Sequence, residues 1–383
     1  MKILKLLAFI SAGAMMFFSC TELPDENNDN GNDNGDDGND PVGSTELVLL
    51  ASEMIIHANG EDAVQFTVLS DGEPVTEGVR FYDGSSKQIE LPDMKFTTTE
   101  PGAYSFWAAY GTSHTDIVTI TAIGFPVPEL PEDPEPGNTS FARRVLLTQF
   151  TGTGCGYCPG MIELLRSVMA DEDYSSRTVL TACHSYNSND PAFYSGGLDM
   201  ALGVMGYPMV IADMSLSYNN YNNEAGLKST IDAAYDSAPA RAGISACAEL
   251  DGNTLVVIAS VKAAETSEFR IGAWLLEDGI EGQQANYNAA SWTGDYNTHD
   301  NCIRVADSRL SNTNFTGHSL GTIEAGETAE YAFVINIEEG WVAENCHLAL
   351  FITAPEAEGS ESFIVNNAVS CEINGEVTYQ YSE

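Results

Sequence analysis

Basic residues are scarce in this sequence. Its 383 residues include 15 Lys and Arg against 56 Asp and Glu, which gives a formal net charge of −41. Proteins that bind nucleic acid neutralise phosphates with Lys and Arg, so this balance excludes nucleic acid as an expected partner. It also excludes attraction to an anionic lipid surface by charge alone.

Long apolar runs are absent after residue 20, so no membrane-spanning helix is expected there. Before that point, Lys2 and Lys5 precede an apolar run over residues 6–18, which is typical of a secretory signal peptide. The run ends at Ser19 and Cys20, and this end resembles a bacterial lipobox, whose Cys is acylated. We predict a signal peptide over residues 1–19 and lipidation of Cys20. Ordinary cleavage near Ala14 is the alternative.

Two segments have compositions typical of linkers. Residues 22–40 hold eight acidic residues and no Lys or Arg, which predicts an extended acidic tether over residues 20–44. Their spacing does not match a calcium-binding loop. Residues 125–137 contain five Pro, which predicts a stiff linker over residues 124–141.

Three stretches carry the patterns of folded domains. Residues 45–123 show short alternating runs between turn residues and no Cys, which predicts an immunoglobulin-like β-sandwich. Residues 142–240 alternate strand and helix patterns, which predicts an α/β layer. Residues 241–383 return to strand patterns and predict a second β-sandwich, with a long loop over residues 277–327. The predicted fold class is multidomain α+β.

One motif in the predicted α/β domain could carry chemistry. Cys155 and Cys158 form a C-x-x-C motif between a predicted strand and helix, a pattern typical of thiol–disulfide redox sites. A helix N-terminus would favour the thiolate of Cys155, and Cys158 would resolve the mixed disulfide. Pro159 fits the first helical turn. A structural disulfide is the alternative.

A second motif, Gly206-Tyr207-Pro208, directly precedes a predicted strand. Together with CGYC it resembles the thioredoxin fold, over about residues 142–240. The resemblance implies a central thioredoxin-like α/β domain, in which Pro208 shapes the groove that binds a substrate's extended backbone. Gly154 replaces the Trp that often precedes the first Cys of that fold. Gln149 replaces a buried carboxylate, which favours the structural alternative.

The other candidate residues belong to no diagnostic motif. Aromatic residues with Asn and Asp in the long loop could bind glycans or peptides, and the alternative is an ordered loop. No ligand set with diagnostic spacing accompanies His299 or Cys183, so we predict no metal and no cofactor. The sequence leaves open the pairing of five further cysteines: Cys183, Cys247, Cys302, Cys346 and Cys371. The candidate binding-loop residues are Tyr287, Trp292, Tyr296 and His299.

The order of these parts extends the resemblance. A lipobox, QFTGTGCGYCP, a GYP strand and the ending FIVNNAVSCEINGEVTYQY resemble the 28-kDa outer-membrane-protein family of Bacteroidetes lipoproteins, over about residues 142–383. The resemblance implies an outer-membrane location, periplasmic or surface-exposed, with the lipid on Cys20 anchoring the protein to the membrane. Two hypotheses follow. One is a lipoprotein that exchanges thiols and disulfides on exported proteins. The other is a non-catalytic binding or adhesin-type lipoprotein for surface ligands.

Overall fold

The computed structural model describes residues 47–53, 55–124, 127–311, 313–357 and 359–382. The predicted signal peptide, acidic tether and lipidated Cys20 lie outside the described residues. The chain divides into two compact units, Met1–Gly124 and Phe125–Glu383. In the described residues, no helix is long and apolar enough to cross a membrane.

The described part of the first unit is built from β-strands, with one 3₁₀ turn at Pro92–Met94. Its strands are β1 (Leu47–Ala51), β2 (Ile55–His57), β3 (Val64–Ser70), β4 (Glu73–Val75), β5 (Arg80–Asp83), β6 (Gln88–Ile89), β7 (Lys95–Phe96), β8 (Gly102–Tyr110), β9 (Ser113–His114) and β10 (Val118–Ile123).

These strands form two sheets that share one apolar core. One sheet has the order β1-β3-β4 with β7 beside β3, and the other has the order β2-β10-β8-β5-β6 with β9 beside β8. Alternate residues of β3 are buried, as expected for a strand with one face on a core. The Phe66 ring centroid lies 5.1 Å from that of Phe106 and 5.8 Å from that of Phe81. This arrangement agrees with the predicted β-sandwich.

In its described residues, the second unit adds four helices to a larger set of strands. The helices are α1 (Cys158–Met169), α2 (Glu172–Ser175), α3 (Leu198–Ala201) and α4 (Glu224–Tyr235), with a 3₁₀ turn at Ala343–Asn345. The strands are β11 (Val145–Thr151), β12 (Thr178–His184), β13 (Met209–Ala212), β14 (Leu216–Tyr218), β15 (Ala242–Asp251), β16 (Thr254–Ala263), β17 (Ser267–Glu277), β18 (Ile280–Glu281), β19 (Thr298–His299), β20 (Cys302–Asp307), β21 (His318–Ile323), β22 (Thr328–Asn336), β23 (Cys346–Pro355), β24 (Phe363–Glu372) and β25 (Gly375–Val377).

The prediction of a central thioredoxin-like α/β domain is wrong. Strands β11 to β14 belong to a nine-stranded sheet of order β14-β13-β11-β12-β20-β17-β23-β24, with β21 beside β17. Residues 142–240 therefore have no sheet of their own, and the described chain is mostly β. The connection is made at Ala182 of β12, which pairs with Cys302 of β20, and β20 continues antiparallel to β17.

Strand β20 explains why the prediction failed. It lies inside the segment predicted as a long loop, and its sequence CIRVAD carries a charge in the middle of an otherwise apolar run. The Arg304 Nε donates to Glu277 Oε2 of the neighbouring strand at 2.7 Å, so this charge is paired inside the structure. A local pattern does not reveal a partner 27 residues away.

Different elements cover the two ends of one face of the large sheet. The four-stranded sheet β22-β16-β15-β25 packs against the C-terminal strands around Val257, Phe333 and Leu350, in agreement with the predicted second β-sandwich. Near β11, helices α1 and α4 pack against the sheet through Leu165 and Ile231. The motif strands and the sandwich strands thus share one continuous sheet.

Candidate functional site

The CGYC motif connects the end of β11 to the beginning of α1. Helix α1 begins at Cys158, and Pro159 lies in its first turn. Cys155 and Cys158 form a disulfide with their Cα atoms 5.3 Å apart. Cys158 is fully buried, and Cys155 is 3% exposed. The pair thus lies at a helix N-terminus, where the helix dipole favours a thiolate.

Pro208 lies at the same end of the sheet as the motif. The Tyr207–Pro208 peptide bond is cis, and Pro208 is buried directly before β13. Strand β13 runs antiparallel to β11, with Met209 opposite Phe150. Pro208 therefore stands beside the end of β11 from which the motif loop departs. The register brings the predicted catalytic residues Cys155, Cys158 and Pro208 to one edge of the sheet.

A buried carboxylate holds the loop that precedes Cys155. Asp190 Oδ2 accepts the Thr153 backbone N–H at 2.6 Å and lies 2.9 Å from His184 Nδ1, and its Oδ1 accepts the Ala192 N–H at 2.8 Å. Burial alone would raise the pKa of Asp190, but the His184 contact and the two backbone donors lower it to about 2. The Asp190 charge thus fixes the motif loop to the segment after β12.

Asn187 makes a second bond of this kind, since its Oδ1 accepts the Gly154 N–H at 2.8 Å. Sequence reasoning missed both Asn187 and Asp190 because neither belongs to a recognised motif. The available signal was the polar run over residues 187–190, directly after a predicted buried strand. Asn and Asp side chains at such positions commonly bond to backbone N–H groups.

The segment of residues 283–292 lies against the motif loop. Its backbone donates from Ala285 to the Thr153 carbonyl at 2.7 Å and from Tyr287 to the Gly156 carbonyl at 2.8 Å. The Gln284 Nε2 donates to the Cys155 carbonyl at 2.9 Å. These bonds place the 283–292 segment directly on the residues that flank and include the first Cys.

Two aromatic residues of the 283–292 segment occupy the space above glycines. A Cβ atom added to Gly156 would lie 2.4 Å from the Tyr287 ring, and one added to Gly160 would lie 2.6 Å from the Trp292 ring. The Tyr287 ring also meets the Tyr157 ring edge-on, with centroids 5.3 Å apart. Tyr287 is nevertheless 69% exposed. Both glycines therefore allow the segment to approach the motif and α1.

The other two candidate binding-loop residues are buried. The Tyr296 hydroxyl donates to Glu163 of α1, and the Tyr296 side chain is 5% exposed. His299 is also 5% exposed, and its ring meets the His184 ring edge-on at 4.8 Å. The four predicted residues thus do not form one common surface. Tyr287, Trp292 and Tyr296 lie along α1 and the motif, whereas His299 faces the interior.

A cavity of about 160 Å³ with a mixed polar and apolar lining lies between α1, the ends of β11 and β12, and residues 298–301. Gln149 and Thr151 line it, and their buried Nε2 and Oγ1 atoms have no hydrogen-bond partner. His184 and His299 line it as well, and burial followed by the neighbouring His184 lowers the pKa of His299. Gln149, where the resemblance expected a carboxylate, therefore faces this cavity with a neutral amide.

The five other cysteines among the described residues are free thiols. Burial raises the pKa of Cys183, Cys346 and Cys371 to about 12 and also raises the pKa of Cys247 and Cys302. These thiols stay protonated at neutral pH and are poor nucleophiles. In the described residues, no group of three or more His, Cys, Asp and Glu side chains is placed to hold a metal ion.

No protein-family model and no curated protein matches the sequence. Among solved structures, the chain is similar to HBP35 of Porphyromonas gingivalis, with 17% identity and a TM-score of 0.48 over 64% of this chain and 79% of that chain. A domain of the outer membrane lipoprotein Omp28 from the same organism matches with 21% identity and a TM-score of 0.23, over 35% of this chain and 89% of that domain.

A third solved structure, the sporulation control protein Spo0M from Bacillus subtilis, has 10% identity and a TM-score of 0.22, over 37% of this chain and 50% of that chain. Two of the three similar structures are thus proteins of Porphyromonas gingivalis, one of them a domain of an outer membrane lipoprotein. At these identities and TM-scores no activity is transferred to this chain, and membership of the 28-kDa family stays a prediction.

Proposed function

We propose that this protein is a lipid-anchored lipoprotein of the outer membrane or cell surface that exchanges thiols and disulfides on exported proteins. The observation that carries the proposal is the Cys155–Cys158 disulfide at the N-terminus of α1, on the sheet edge that also holds Pro208. The lipobox-like end at Cys20 supports the anchor.

The proposed reaction begins with the reduced pair. The Cys155 thiolate attacks one sulfur of a substrate disulfide, so that a mixed disulfide forms and the first substrate thiolate leaves and takes up a proton. Cys158 then loses its proton and attacks the Cys155 sulfur, which releases the second substrate thiolate. The substrate disulfide gains two electrons and two protons, and the enzyme dithiol is oxidised to the disulfide.

The environment of the pair supports these roles. At the start of α1, the Cys158 and Gly160 N–H groups donate to the Cys155 and Tyr157 carbonyls, and Pro159 has no N–H. The helix dipole is therefore the feature that stabilises a thiolate at Cys155. The five other thiols have raised pKa values, so chemistry concentrates on this pair.

The second candidate is a surface binding lipoprotein in which CGYC is a structural disulfide. The observation that favours it is the low exposure of Cys155, 3%, beneath a segment bonded to its carbonyl. A redox potential separates the two candidates. A catalytic pair should equilibrate with glutathione buffers at about −120 to −270 mV, and a structural disulfide should lie below about −300 mV.

A trapping experiment tests the proposal further. We expect reduced Cys158→Ser protein to form a mixed disulfide with a scrambled, disulfide-bonded polypeptide, because Cys155 attacks and no resolving thiol remains. The matched control is the Cys155→Ser/Cys158→Ser double variant, which should trap nothing. A potential below about −300 mV together with no adduct on Cys158→Ser would overturn the proposal.

A further inference from the structure

The way the 283–292 segment binds the motif loop resembles the binding of an extended peptide. Ala285 and Tyr287, two residues apart, donate their backbone N–H groups to the Thr153 and Gly156 carbonyls at 2.7 and 2.8 Å. Donation from alternate residues is typical of an extended chain laid against a backbone edge, and here it is limited to the stretch that ends where residues 287–291 form a turn. The motif loop therefore presents a row of carbonyl acceptors that a chain of suitable conformation fills.

Side chains of the 283–292 segment add further contacts to the motif loop, and some of these contacts remain exposed to solvent. Gln284 Nε2 lies within 3.3 Å of the Gly152, Thr153 and Cys155 carbonyls, and Gln284 is 8% exposed. The Tyr287 ring lies against Gly156 yet is 69% exposed. The segment thus has one buried polar anchor at Gln284, one exposed aromatic contact at Tyr287 and one half-buried aromatic contact, where Trp292 packs on Gly160 and Tyr221.

Space for an incoming chain lies beside this contact. An open cleft of about 370 Å³ is lined by Thr153 and Gly154 of the motif loop, by Asn187 and Asn189, and by residues 283–285. Its side chains are uncharged, and carboxamides pair readily with peptide groups. Gln284 lines the cleft, and its buried Oε1 has no hydrogen-bond partner among the residues that the structure describes. A backbone N–H entering here would satisfy this acceptor.

We propose that the backbone carbonyls of residues 152–156 form a peptide-binding edge, which the 283–292 segment of the same chain occupies. An extended polypeptide displaces this segment to reach the Cys155–Cys158 disulfide. The partner is a chain with free backbone N–H groups and an aromatic side chain, such as an unfolded exported protein. This inference rests on the proposed function for its biological meaning. Its test does not, because the accessibility of the disulfide is measured with a small reductant.

The first experiment measures how fast dithiothreitol reduces the Cys155–Cys158 disulfide in the full-length protein. Dithiothreitol is oxidised to its cyclic disulfide as the pair becomes a dithiol, and the new thiols are counted by alkylation. We expect Tyr287→Ala and Gln284→Ala to be reduced about threefold to tenfold faster than wild type, because each loses part of the contact that holds the segment. Leu310→Ala, an exposed apolar side chain of the same unit, is the matched control and should match wild type.

The second experiment tests whether the edge accepts a peptide. We expect excess synthetic peptide QQANYNAASW, the sequence of residues 283–292, to slow reduction of the Tyr287→Ala protein towards the wild-type rate. The same peptide N-methylated at the residues equivalent to Ala285 and Tyr287 lacks the two donors and should give no protection. Because Tyr287 is exposed, this variant is expected to fold, and circular dichroism checks that it does.

Two results would overturn the inference. Equal reduction rates in wild type and both variants would show that the segment does not limit access. Faster variants that neither peptide protects would show a cover without a peptide-binding edge. A potential below about −300 mV, with peptide protection intact, would instead reject the proposed exchange reaction while keeping the peptide-binding edge.

Discussion

The two units of the chain differ in how far apart in sequence their paired strands lie. In the first unit, the described strands pair with one another within residues 47–123. In the second unit, the strand before the motif belongs to a sheet that is completed by a strand at Cys302 and continues to residues beyond 363. The first unit therefore contains its own core, whereas the motif depends on residues more than a hundred positions away.

Asn367 illustrates this dependence. It is 2% exposed, its Oδ1 accepts the Arg144 N–H at 2.9 Å, and its Nδ2 donates to the Ala142 and Ala242 carbonyls at 3.0 and 3.1 Å. One C-terminal side chain thus joins the chain before β11 to the start of β15. The CGYC motif is therefore not part of a domain that folds independently of the C-terminal strands, although its local sequence resembles that of such a domain.

The largest expected effect comes from cutting the chain where the sequence alone placed domain boundaries. We expect residues 142–240 expressed alone to remain unfolded, because β12 loses its partner β20 and buried apolar faces become exposed. Residues 125–383 should unfold cooperatively and retain the Cys155–Cys158 disulfide, and residues 45–124 should fold independently. Urea unfolding and near-ultraviolet circular dichroism measure this.

A cooperative unfolding transition of the 142–240 fragment would show that the motif region folds without the C-terminal strands, contrary to the difference between the two units. Failure of residues 45–124 to fold would contradict the same difference, since that unit would then not contain a sufficient core.

A smaller effect is expected at the buried carboxylate beside the motif. Asp190→Ala should lower the free energy of unfolding of the second unit by about 2–4 kcal/mol, because it leaves buried N–H donors at Thr153 and Ala192 unpaired. The melting temperature of that unit should fall by about 2–4 °C for each kcal/mol. The first unit should melt as before. Differential scanning calorimetry resolves the two.

Asp190→Asn is the matched control, since an amide oxygen can still accept a backbone N–H. It should lose less stability than Asp190→Ala. An equal loss in both variants would indicate that the negative charge matters more than the backbone bonds.

The smallest expected effect is on the pH dependence of the second unit. Two effects lower the pKa of His299 below its ordinary value of 6.5: burial, which is the larger, and the neighbouring His184. The unfolded chain therefore binds a proton at this residue more readily than the folded chain does. The stability contributed by neutral His299 should be complete above about pH 6.5 and decrease as the pH falls below it, by at most about 1.4 kcal/mol per pH unit. Urea unfolding of His299→Gln should show a flatter slope in this range.

Asp190 acts in a separate window. Its pKa is lowered to about 2 from an ordinary 3.8, so its contribution to stability is complete above pH 3.8 and is lost as the pH falls towards 2.

An unchanged slope of stability against pH between pH 5 and 6.5 in His299→Gln would exclude His299 as the source of the acid sensitivity there.

The features that sequence predicted best are local ones. The start of α1 at Cys158, with Pro159 in its first turn, follows from side chains a few residues apart. The support of the motif could not be predicted in this way. Asp190, Gln284 and strand β20 reach it only through tertiary contacts, and CIRVAD carries too weak a pattern to predict a strand inside a sheet. The polar composition of this segment predicts a loop, so the shared sheet does not follow from the sequence.

The close approach of Tyr287 to Gly156 links two positions that are 131 residues apart in the chain. A Cβ atom at residue 156 would lie 2.4 Å from the ring at residue 287, so the two positions share one volume. In related chains, a larger residue in the middle of the C-x-x-C motif should therefore accompany a smaller one at position 287. The residue at position 156 would then covary with the residue at position 287. A large residue at position 156 would indicate that the 283–292 segment does not occupy the peptide-binding edge in that chain.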